Sequence, residues 1–209
     1  MEDSEKNTGG ESPVRKASVR RETSETSINV ELSIDGSGNG AVDTGIPFLD
    51  HMLDTFARHS LVDLTIRAKG DLHIDDHHTV EDIGLALGQA LDQALDDKRG
   101  IRRFGHAEVP LDEALVSVSV DLSGRPYLAY NLKIRHHRVG DFETELVNDF
   151  MQALMTEAKM NLHVNKRYGR NPHHLIEAAF KALARALGEA CSRDPRVTGV
   201  PSTKGSLKG

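Results

Sequence analysis

Alternation of apolar and polar positions predicts β-strands in both halves of the chain. In the first half, "SINVELSI" at 27–34 alternates with a period of two, and "VDLTIRAKG" is strand-like and ends at Gly70. In the second half, "ALVSVSVDLSGRPYLAYNLKI" predicts two strands with a turn at "SGRP", and "MNLHVNKRYG" predicts another. Residues 1–20 have no apolar period and predict a flexible N-terminal tail.

Apolar side chains at helical spacing predict four helices between these strands. Each half has a shorter helix, "FLDHMLDTFARHS" or "ELVNDFMQALMTEA", and then a longer one that begins near two adjacent histidines. The first long helix is expected to stop at Gly100, and the second is "NPHHLIEAAFKALARALGEA". The polar end at 192–209, with two prolines and three glycines, has by itself the composition of a disordered end.

The two halves repeat each other in order and spacing. At an offset of 98 residues, Leu49, Phe56, Leu64 and Ile66 align with Val147, Leu154, Leu162 and Val164. After a loop shorter by two residues, the offset is 96, and His77, His78, Glu81 and Leu87 align with His173, His174, Glu177 and Leu183. This repetition indicates an internal duplication. It predicts an α/β sandwich of two similar halves, 21–100 and 101–191, that fold as one unit.

Composition narrows the class of protein. The 209 residues are 38 % hydrophobic, enough for a sizeable core, and the net charge is −6 with 4 % aromatics and no tryptophan. These values argue against a nucleic-acid partner. A single cysteine, Cys191, cannot form an intrachain disulfide, and no stretch resembles a signal peptide or a membrane span. A cytoplasmic protein is expected.

Two short motifs, "DHHTVED" and "NPHHLIEA", suggest metal binding. Each places a glutamate one helical turn after two adjacent histidines. Adjacent side chains on a helix diverge by about 100°, so each histidine pair is predicted to serve two different sites. A nitrogen and oxygen donor set without thiolate favours a harder, octahedral ion among Mn, Fe, Co and Zn. The alternative for one such pair alone is a solvated helix face or a cap.

Other candidate groups break the symmetry of the repeat or extend it. His51, on the preceding helix, and its repeat image Asp149 could complete the ligand sets. Lys181 replaces Leu85 of the first half and adds a cation one turn after Glu177. Four further residues could bind an anion; they are Arg103, Arg125, Ser202 and Lys204. Taken singly, a surface lysine or a structural arginine is the alternative for each cation.

Several long motifs in order resemble the imidazoleglycerol-phosphate dehydratase family of histidine biosynthesis. They are "RETSET", "FLDHML", "DHHTVEDIGLALG", "KRGIRRFG", "VDLSGRPYLAYNL", "LHVNKRYGRNPHHLIEAAFKALARAL" and "GVPSTKG", from about Arg21 to Lys204. The resemblance implies an α+β fold like domain 2 of ribosomal protein S5, in which each half is a four-stranded sheet packed with helices. It also implies an octahedral 24-mer whose active sites lie between subunits.

The resemblance further implies an activity and roles for individual residues. The reaction is the manganese-dependent dehydration of D-erythro-imidazole glycerol phosphate to imidazole acetol phosphate and water, with two Mn²⁺ sites per active centre. The implied metal ligands are His51, His77, His78, Glu81, Asp149, His173, His174 and Glu177. Glu25 is the implied acid/base carboxylate, with His77 and Glu177 as further catalytic residues. The implied phosphate-binding residues are Arg103, Arg125, Lys181, Ser202 and Lys204, the last two from the C-terminal segment 192–209.

Two alternatives to this activity and one departure from the family pattern stay open. A dinuclear phosphohydrolase would also combine metals with arginine and lysine, but would favour bridging carboxylates over histidines. A non-catalytic metal-buffering or assembly protein would take up metal without turnover and leave Glu25 without a purpose. Asp149 stands where some family members carry histidine, so either the aspartate binds the metal directly or a water takes its place.

Overall fold

The computed structural model describes residues 14–207, which form ten strands and four helices. The strands are β1 (Lys16–Glu22), β2 (Thr26–Ser33), β3 (Gly40–Asp43), β4 (Asp63–Gly70), β5 (Phe104–Leu111), β6 (Ala114–Asp121), β7 (Tyr127–Asn131), β8 (Arg138–Val139), β9 (Phe142–Glu143) and β10 (Asn161–Tyr168). The helices are α1 (Pro47–Ser60), α2 (His77–Leu95), α3 (Leu146–Glu157) and α4 (Pro172–Cys191).

The two halves have the same sheet topology. The first sheet has the strand order β1-β2-β4-β3, and the second has the order β5-β6-β10-β7. In each sheet the edge strand β3 or β7 runs parallel to its neighbour, whereas the other neighbouring strands are antiparallel. Helices α1 and α2 correspond to α3 and α4. The predicted α+β fold of two duplicated halves, each with a four-stranded sheet, is therefore confirmed.

One face of each sheet is covered by helices of its own half. In β2, Ile28, Val30 and Leu32 are buried while Ser27 and Glu31 are exposed, as a half-buried strand requires. Helix α2 packs on β1 and β2, and α4 packs on β5 and β6. Across the halves, α2 contacts α3 and α1 contacts α4, and the buried residues form one continuous cluster. The two halves thus share one core.

Glycine allows α2 to approach α3 closely. A Cβ atom added at Gly88 would lie 2.6 Å from the carbonyl oxygen of Leu154 and 3.0 Å from the amide nitrogen of Ala158. These atoms belong to the backbone at the end of α3, so they cannot move aside as a flexible side chain could. The contact that joins the two halves therefore depends on the missing side chain at this position.

The predicted flexible tail of residues 1–20 is wrong for its last part. Strand β1 begins at Lys16 and pairs antiparallel with β2, with Val19 opposite Val30 and largely buried. Pairing with β2 and packing against α2 provide burial that the polar local sequence does not reveal. The remainder of that prediction, at residues 1–13, lies outside the described residues.

Two further boundaries differ from the prediction. Helix α2 ends at Leu95, well before Gly100, because Asp96 adopts a positive φ of 49° and buried Lys98 turns back towards Asp92, with an N–O distance of 3.5 Å. The "SGRP" segment joins β6 to β7, but β10 lies between those two strands in the sheet. The segment is thus part of a crossover and not a hairpin turn. Strands β3, β5, β8 and β9 have no counterpart among the strands that apolar alternation predicts, although the resemblance implies four strands in each half.

The C-terminal segment packs against the body as far as it is described. The amide of Gly100 donates to the carbonyl of Gly199 over 3.0 Å, and Arg103 Nη1 donates to the carbonyl of Pro201 over 2.9 Å. Leu207 is buried. Residues 192–207 are therefore held in place despite a composition typical of disorder. Among the described residues, no helix is both long and apolar enough to cross a membrane.

Replacement of Gly88 by alanine is expected to destabilise the fold. The new methyl group must displace the backbone of α3, and overpacking of this kind costs about 1–3 kcal/mol. Thermal unfolding followed by circular dichroism should show a lower midpoint for Gly88→Ala. Gly199→Ala is the matched control, because a Cβ at Gly199 meets nothing within 4 Å. Equal midpoints for the two variants would contradict the close contact.

Candidate active site

The first turns of α2 and α4 place the two histidine pairs. At α4, Asn171 Oδ1 accepts hydrogen bonds from the amides of His173 and His174, and Pro172 occupies the first turn. At α2, Asp75 Oδ1 accepts from the amide of His77 over 2.8 Å. Both helices therefore begin at the histidines because short polar side chains satisfy their first free amides.

One group of three side chains, here called set I, joins α4 to α1 of the other half. His173 Nε2 lies 3.0 Å from Glu177 Oε2, and His51 Nε2 lies 3.5 Å from the same oxygen. The candidate ligand atoms of set I lie within 4.8 Å of one another. Phe48 packs edge-on against His173, with 5.3 Å between ring centroids. The contact between α1 and α4 thus brings His51 to the first turn of the second-half helix.

The pseudo-symmetric group, here called set II, joins α2 to α3. His77 Nε2 lies 3.7 Å from Glu81 Oε2, and His77 Nδ1 lies 3.5 Å from Asp149 Oδ2. Asp149, the repeat image of His51, contacts the histidine of its set on the ring nitrogen that does not face Glu81, whereas His51 contacts the glutamate of set I. Set II is the more open of the two, since the Glu81 side chain is 50 % exposed and that of Glu177 is 14 % exposed.

The second histidine of each pair faces away from sets I and II. The ring planes of His77 and His78 make an angle of 77°, and those of His173 and His174 make 85°. His78 Nδ1 lies 3.0 Å from Asp71 Oδ2, and His174 Nδ1 lies 2.7 Å from Glu113 Oε2. The rings diverge as the helical spacing predicts, and each pair presents imidazoles to two separate places.

Glu25 lies beside His78 at the tip of the β1–β2 hairpin. Its Oε2 is 3.8 Å from His78 Nδ1, and its side chain is 51 % exposed. Thr23 Oγ1 accepts from the amide of Glu25, and Thr26 Oγ1 donates to Asp82 at the first turns of α2. The hairpin tip is therefore fixed to α2 while the Glu25 carboxylate stays accessible.

The candidate anion-binding residues fall into two places. Lys181 Nζ donates to Glu177 Oε1 over 2.7 Å and so belongs beside set I. Arg103 lies at the other end of α4, where its amide donates to the carbonyl of Ala190. With about 1.5 Å of rise per residue, this end is about 24 Å from His174. Arg103 also carries a bidentate pair with Asp121, with N–O distances of 2.7 and 3.1 Å.

The C-terminal segment and the β6–β7 connection lie at that far end of α4. Arg103 holds the carbonyl of Pro201, next to Ser202, while the side chains of Lys204 and Arg125 are exposed. Within one chain, the structure assembles set I with Lys181 beside it, set II separately, and Glu25 beside His78. It does not bring the remaining four anion-binding candidates to the same place.

Comparison with known proteins gives this chain a family. The family described as imidazoleglycerol-phosphate dehydratase matches residues 44–187. The imidazoleglycerol-phosphate dehydratase of Paracoccus denitrificans is 59 % identical over 195 residues, covering 93 % of this chain and 100 % of the relative. That of Symbiobacterium thermophilum is 57 % identical over 207 residues, covering 99 % and 100 %. The chain belongs to the imidazoleglycerol-phosphate dehydratase family.

Solved structures agree with this assignment. The crystal structure of imidazoleglycerol-phosphate dehydratase from Staphylococcus aureus has a TM-score of 0.78 and 41 % identity, covering 86 % of this chain and 99 % of that one. The Pyrococcus furiosus enzyme in complex with (S)-C348 has a TM-score of 0.78 and 39 % identity, covering 90 % and 99 %. Family membership supports a dehydratase (lyase) activity in histidine biosynthesis for this chain.

Electrostatics at the candidate site favour ionised carboxylates. Burial alone would raise the pKa of Glu177, but hydrogen bonds from Lys181 and His173 outweigh it and keep that pKa below its ordinary value. The hydrogen bond from His174, with those from the amides of Asn171 and Arg170, lowers the pKa of Glu113 to about 2. The carboxylate of Asp71 raises the pKa of His78.

The donor atoms of set I fit a divalent metal ion. Set I offers two imidazole nitrogens and a carboxylate oxygen within 4.8 Å of one another. In set II, Glu81 and Asp149 face different nitrogens of His77, so these three side chains do not converge on one point. Thiolate is excluded, because Cys191 is buried and its pKa is raised to about 12 by burial. Nitrogen and oxygen donors of this kind suit Mn²⁺ and other ions of similar hardness.

Sequence reasoning missed two carboxylates that touch the histidine pairs. Asp71 lies seven residues before His78 in "GDLHIDDHH", and Glu113 lies in the β5–β6 hairpin, far from His174 along the chain. The repeat could not have found them, since they occupy different places in the two halves. An aspartate shortly before the first pair was a signal for Asp71; the sequence carried none for Glu113.

Proposed function

We propose that this chain catalyses the manganese-dependent dehydration of D-erythro-imidazole glycerol phosphate to imidazole acetol phosphate and water in L-histidine biosynthesis. The observation that carries the proposal is the pair of sets I and II, each built from the first turn of one half's long helix and a side chain of the other half. Family membership supports the dehydratase activity itself.

Two Mn²⁺ ions per active centre are the proposed cofactor. The proposed ligands are His51, His77, His78, Glu81, Asp149, His173, His174 and Glu177. When bound, Mn²⁺ supplies Lewis acidity at the nitrogens of the substrate imidazole. The histidine content of set I supports this use over phosphoryl transfer, which favours bridging carboxylates. His77 and Glu177 are the proposed further catalytic residues, because each contacts both other side chains of its set.

Glu25 is the proposed proton shuttle. Dehydration removes a proton from one carbon and a hydroxyl from its neighbour, so the site needs a base that can return as an acid. Glu25 is exposed, and its carboxylate is held only loosely, by His78 Nδ1 at 3.8 Å. It is therefore free to approach the substrate carbon from the side of the second histidine.

The phosphate of the substrate does not react, and its proposed role is positioning. Lys181, whose Nζ donates to Glu177 of set I, is the proposed direct contact of the phosphate. The other proposed phosphate ligands are Arg103, Arg125, Ser202 and Lys204, at the far end of α4 in the same chain. Because a small phosphate ester cannot bridge about 24 Å, these residues are expected to serve the site of a neighbouring subunit. This separation supports the proposed octahedral 24-mer with shared sites.

The cytoplasm is the proposed compartment, with no nucleic-acid or membrane partner. The single cysteine cannot form an intrachain disulfide, and its burial keeps the thiol protonated. A reducing compartment suits such a chain.

Metal-stripped protein with Mn²⁺, Zn²⁺ or Mg²⁺ restored tests the proposal. Mn²⁺ should restore formation of imidazole acetol phosphate and produce a 24-subunit particle in light scattering. Release of inorganic phosphate from imidazole glycerol phosphate would instead favour a phosphohydrolase. Metal uptake without turnover would favour a metal-buffering or assembly protein, and either result would overturn the proposal.

Glu25→Gln should lower kcat by about 10²–10⁴, since a positioned acid or base typically contributes that much. Substrate and Mn²⁺ should still bind, because the amide keeps the shape of the side chain. Glu22→Gln is the matched control on the same hairpin; its carboxylate is exposed and paired with Arg20. If turnover of Glu25→Gln equals that of the control, another group moves the proton.

Lys181→Leu should lower kcat/KM roughly 10- to 150-fold, the effect of losing one hydrogen bond to a charged group. At pH 8 its Mn²⁺ content should match the wild type. Without Lys181 the pKa of Glu177 rises, and a ligating carboxylate must be ionised. Mn²⁺ release on acidification should therefore begin at a higher pH than in the wild type, which a metal assay across pH can measure. A wild-type value of kcat/KM in Lys181→Leu would show that Lys181 does not contact the substrate.

A further inference from the structure

Each long helix carries a second histidine whose ring is held by a carboxylate from another element. His78 Nδ1 lies 3.0 Å from Asp71 Oδ2, and His174 Nδ1 lies 2.7 Å from Glu113 Oε2. An ionised carboxylate can only accept, so Nδ1 of each histidine must carry the proton. The lone pair of each neutral ring then lies on Nε2, on the side away from the carboxylate.

We infer that Asp71 and Glu113 are positioning residues that fix His78 and His174 for metal binding through Nε2. The inference rests on the proposed manganese dependence and deepens it. A carboxylate behind a ligating histidine fixes the ring and increases its basicity, and its loss typically weakens metal binding by about 10- to 100-fold. The two carboxylates thus act through the histidines and do not touch the metal.

The surroundings of Glu113 exclude it as a direct ligand. Its Oε1 accepts from the amides of Asn171 over 2.7 Å and Arg170 over 3.1 Å, while Oε2 accepts from His174. All three hydrogen bonds fix the carboxylate at the start of α4. Nε2 of His174 lies 3.8 Å from the exposed carboxylate of Asp112.

The burial of Asp71 also argues against a direct contact between its carboxylate and the metal. Its side chain is 11 % exposed, against 36 % for His78 and 51 % for Glu25. Oδ2 faces His78, and Oδ1 is buried without a hydrogen-bond partner among the described residues. The partly exposed ring of His78 is thus presented outward, with Asp71 behind it. Asp71, Glu25 and His78 also place candidate ligand atoms within 4.8 Å of one another, so the Asp71 variants described below distinguish a positioning residue from a direct ligand.

The two halves obtain this carboxylate from different places, and the difference concerns Glu25. The β1–β2 hairpin tip carries Glu25, and the equivalent β5–β6 tip carries Glu113. In the second half the hairpin carboxylate itself holds the histidine. In the first half, Asp71 has that role, and it lies in the connection between β4 and α2, at 71–76. The equivalent connection of the second half, between β10 and α4, is shorter and spans 169–171. Asp71 thereby leaves Glu25 unclamped and available for proton transfer.

Mn²⁺ affinity measured by competition with a fluorescent chelator tests the inference without using turnover. Asp71→Ala and Glu113→Ala should each bind Mn²⁺ about 10- to 100-fold more weakly, with the stoichiometry at saturation unchanged. Asp71→Asn and Glu113→Gln keep an acceptor without the charge and should lose less than the alanine variants. They also keep the test valid if an alanine variant fails to fold. Glu108→Ala, which removes a carboxylate of β5 paired with Arg167, is the control and should keep wild-type affinity.

Glu25→Gln is a further variant for the same assay. It should keep wild-type Mn²⁺ affinity, because Glu25 is not among the proposed metal ligands. Unchanged affinity in the Asp71 and Glu113 variants would overturn the inference and leave the proposed function standing. Loss of a whole Mn²⁺ equivalent in Asp71→Ala, with Glu113→Ala unaffected, would also overturn it, because Asp71 would then be a direct ligand. Failure of the wild type to bind Mn²⁺ would overturn the proposed function and the inference together.

Discussion

The site depends on the angle of about 100° between neighbouring side chains on a helix. Two adjacent histidines in a first turn cannot share one small ion, so each pair must address two places. His77 turns to Glu81 and Asp149, and His78 turns to Asp71. The second half repeats the arrangement with His173 and His174. Because this short motif occurs in both halves, the chain presents four imidazoles in different directions.

Packing between the two halves brings further candidate ligands to these histidines. His51 reaches set I only because α1 packs on α4, and Asp149 reaches set II only because α2 packs on α3. Small residues such as Gly88 set the separation of the helices in the second contact. A displacement of one helix by about an ångström would separate the ligands of a set without unfolding either half. The packing between the halves therefore also determines the geometry of the site.

Much of this arrangement could be predicted from the sequence, and the exceptions share a physical cause. The duplication, the helices and the partners His51 and Asp149 follow from periodicity and offset, because both halves must bury equivalent faces. Strand β1 was missed because its burial comes from pairing with β2 and not from its own composition. Glu113 was missed because its contact with His174 spans 61 residues and has no image in the other half. Interactions that break the repeat leave no periodic signal.

The two hairpin tips depart from the symmetry of the repeat. The β5–β6 tip holds its carboxylate, Glu113, against His174, whereas in the first half Asp71 from the connection before α2 lies against His78. A carboxylate clamped by two backbone amides, as Glu113 is, cannot move to a substrate carbon. Because Asp71 makes the closer contact with His78, Glu25 is not needed to orient that ring. If Glu25 moves the proton as proposed, the longer connection before α2 contributes to catalysis by supplying Asp71, without contact with the substrate.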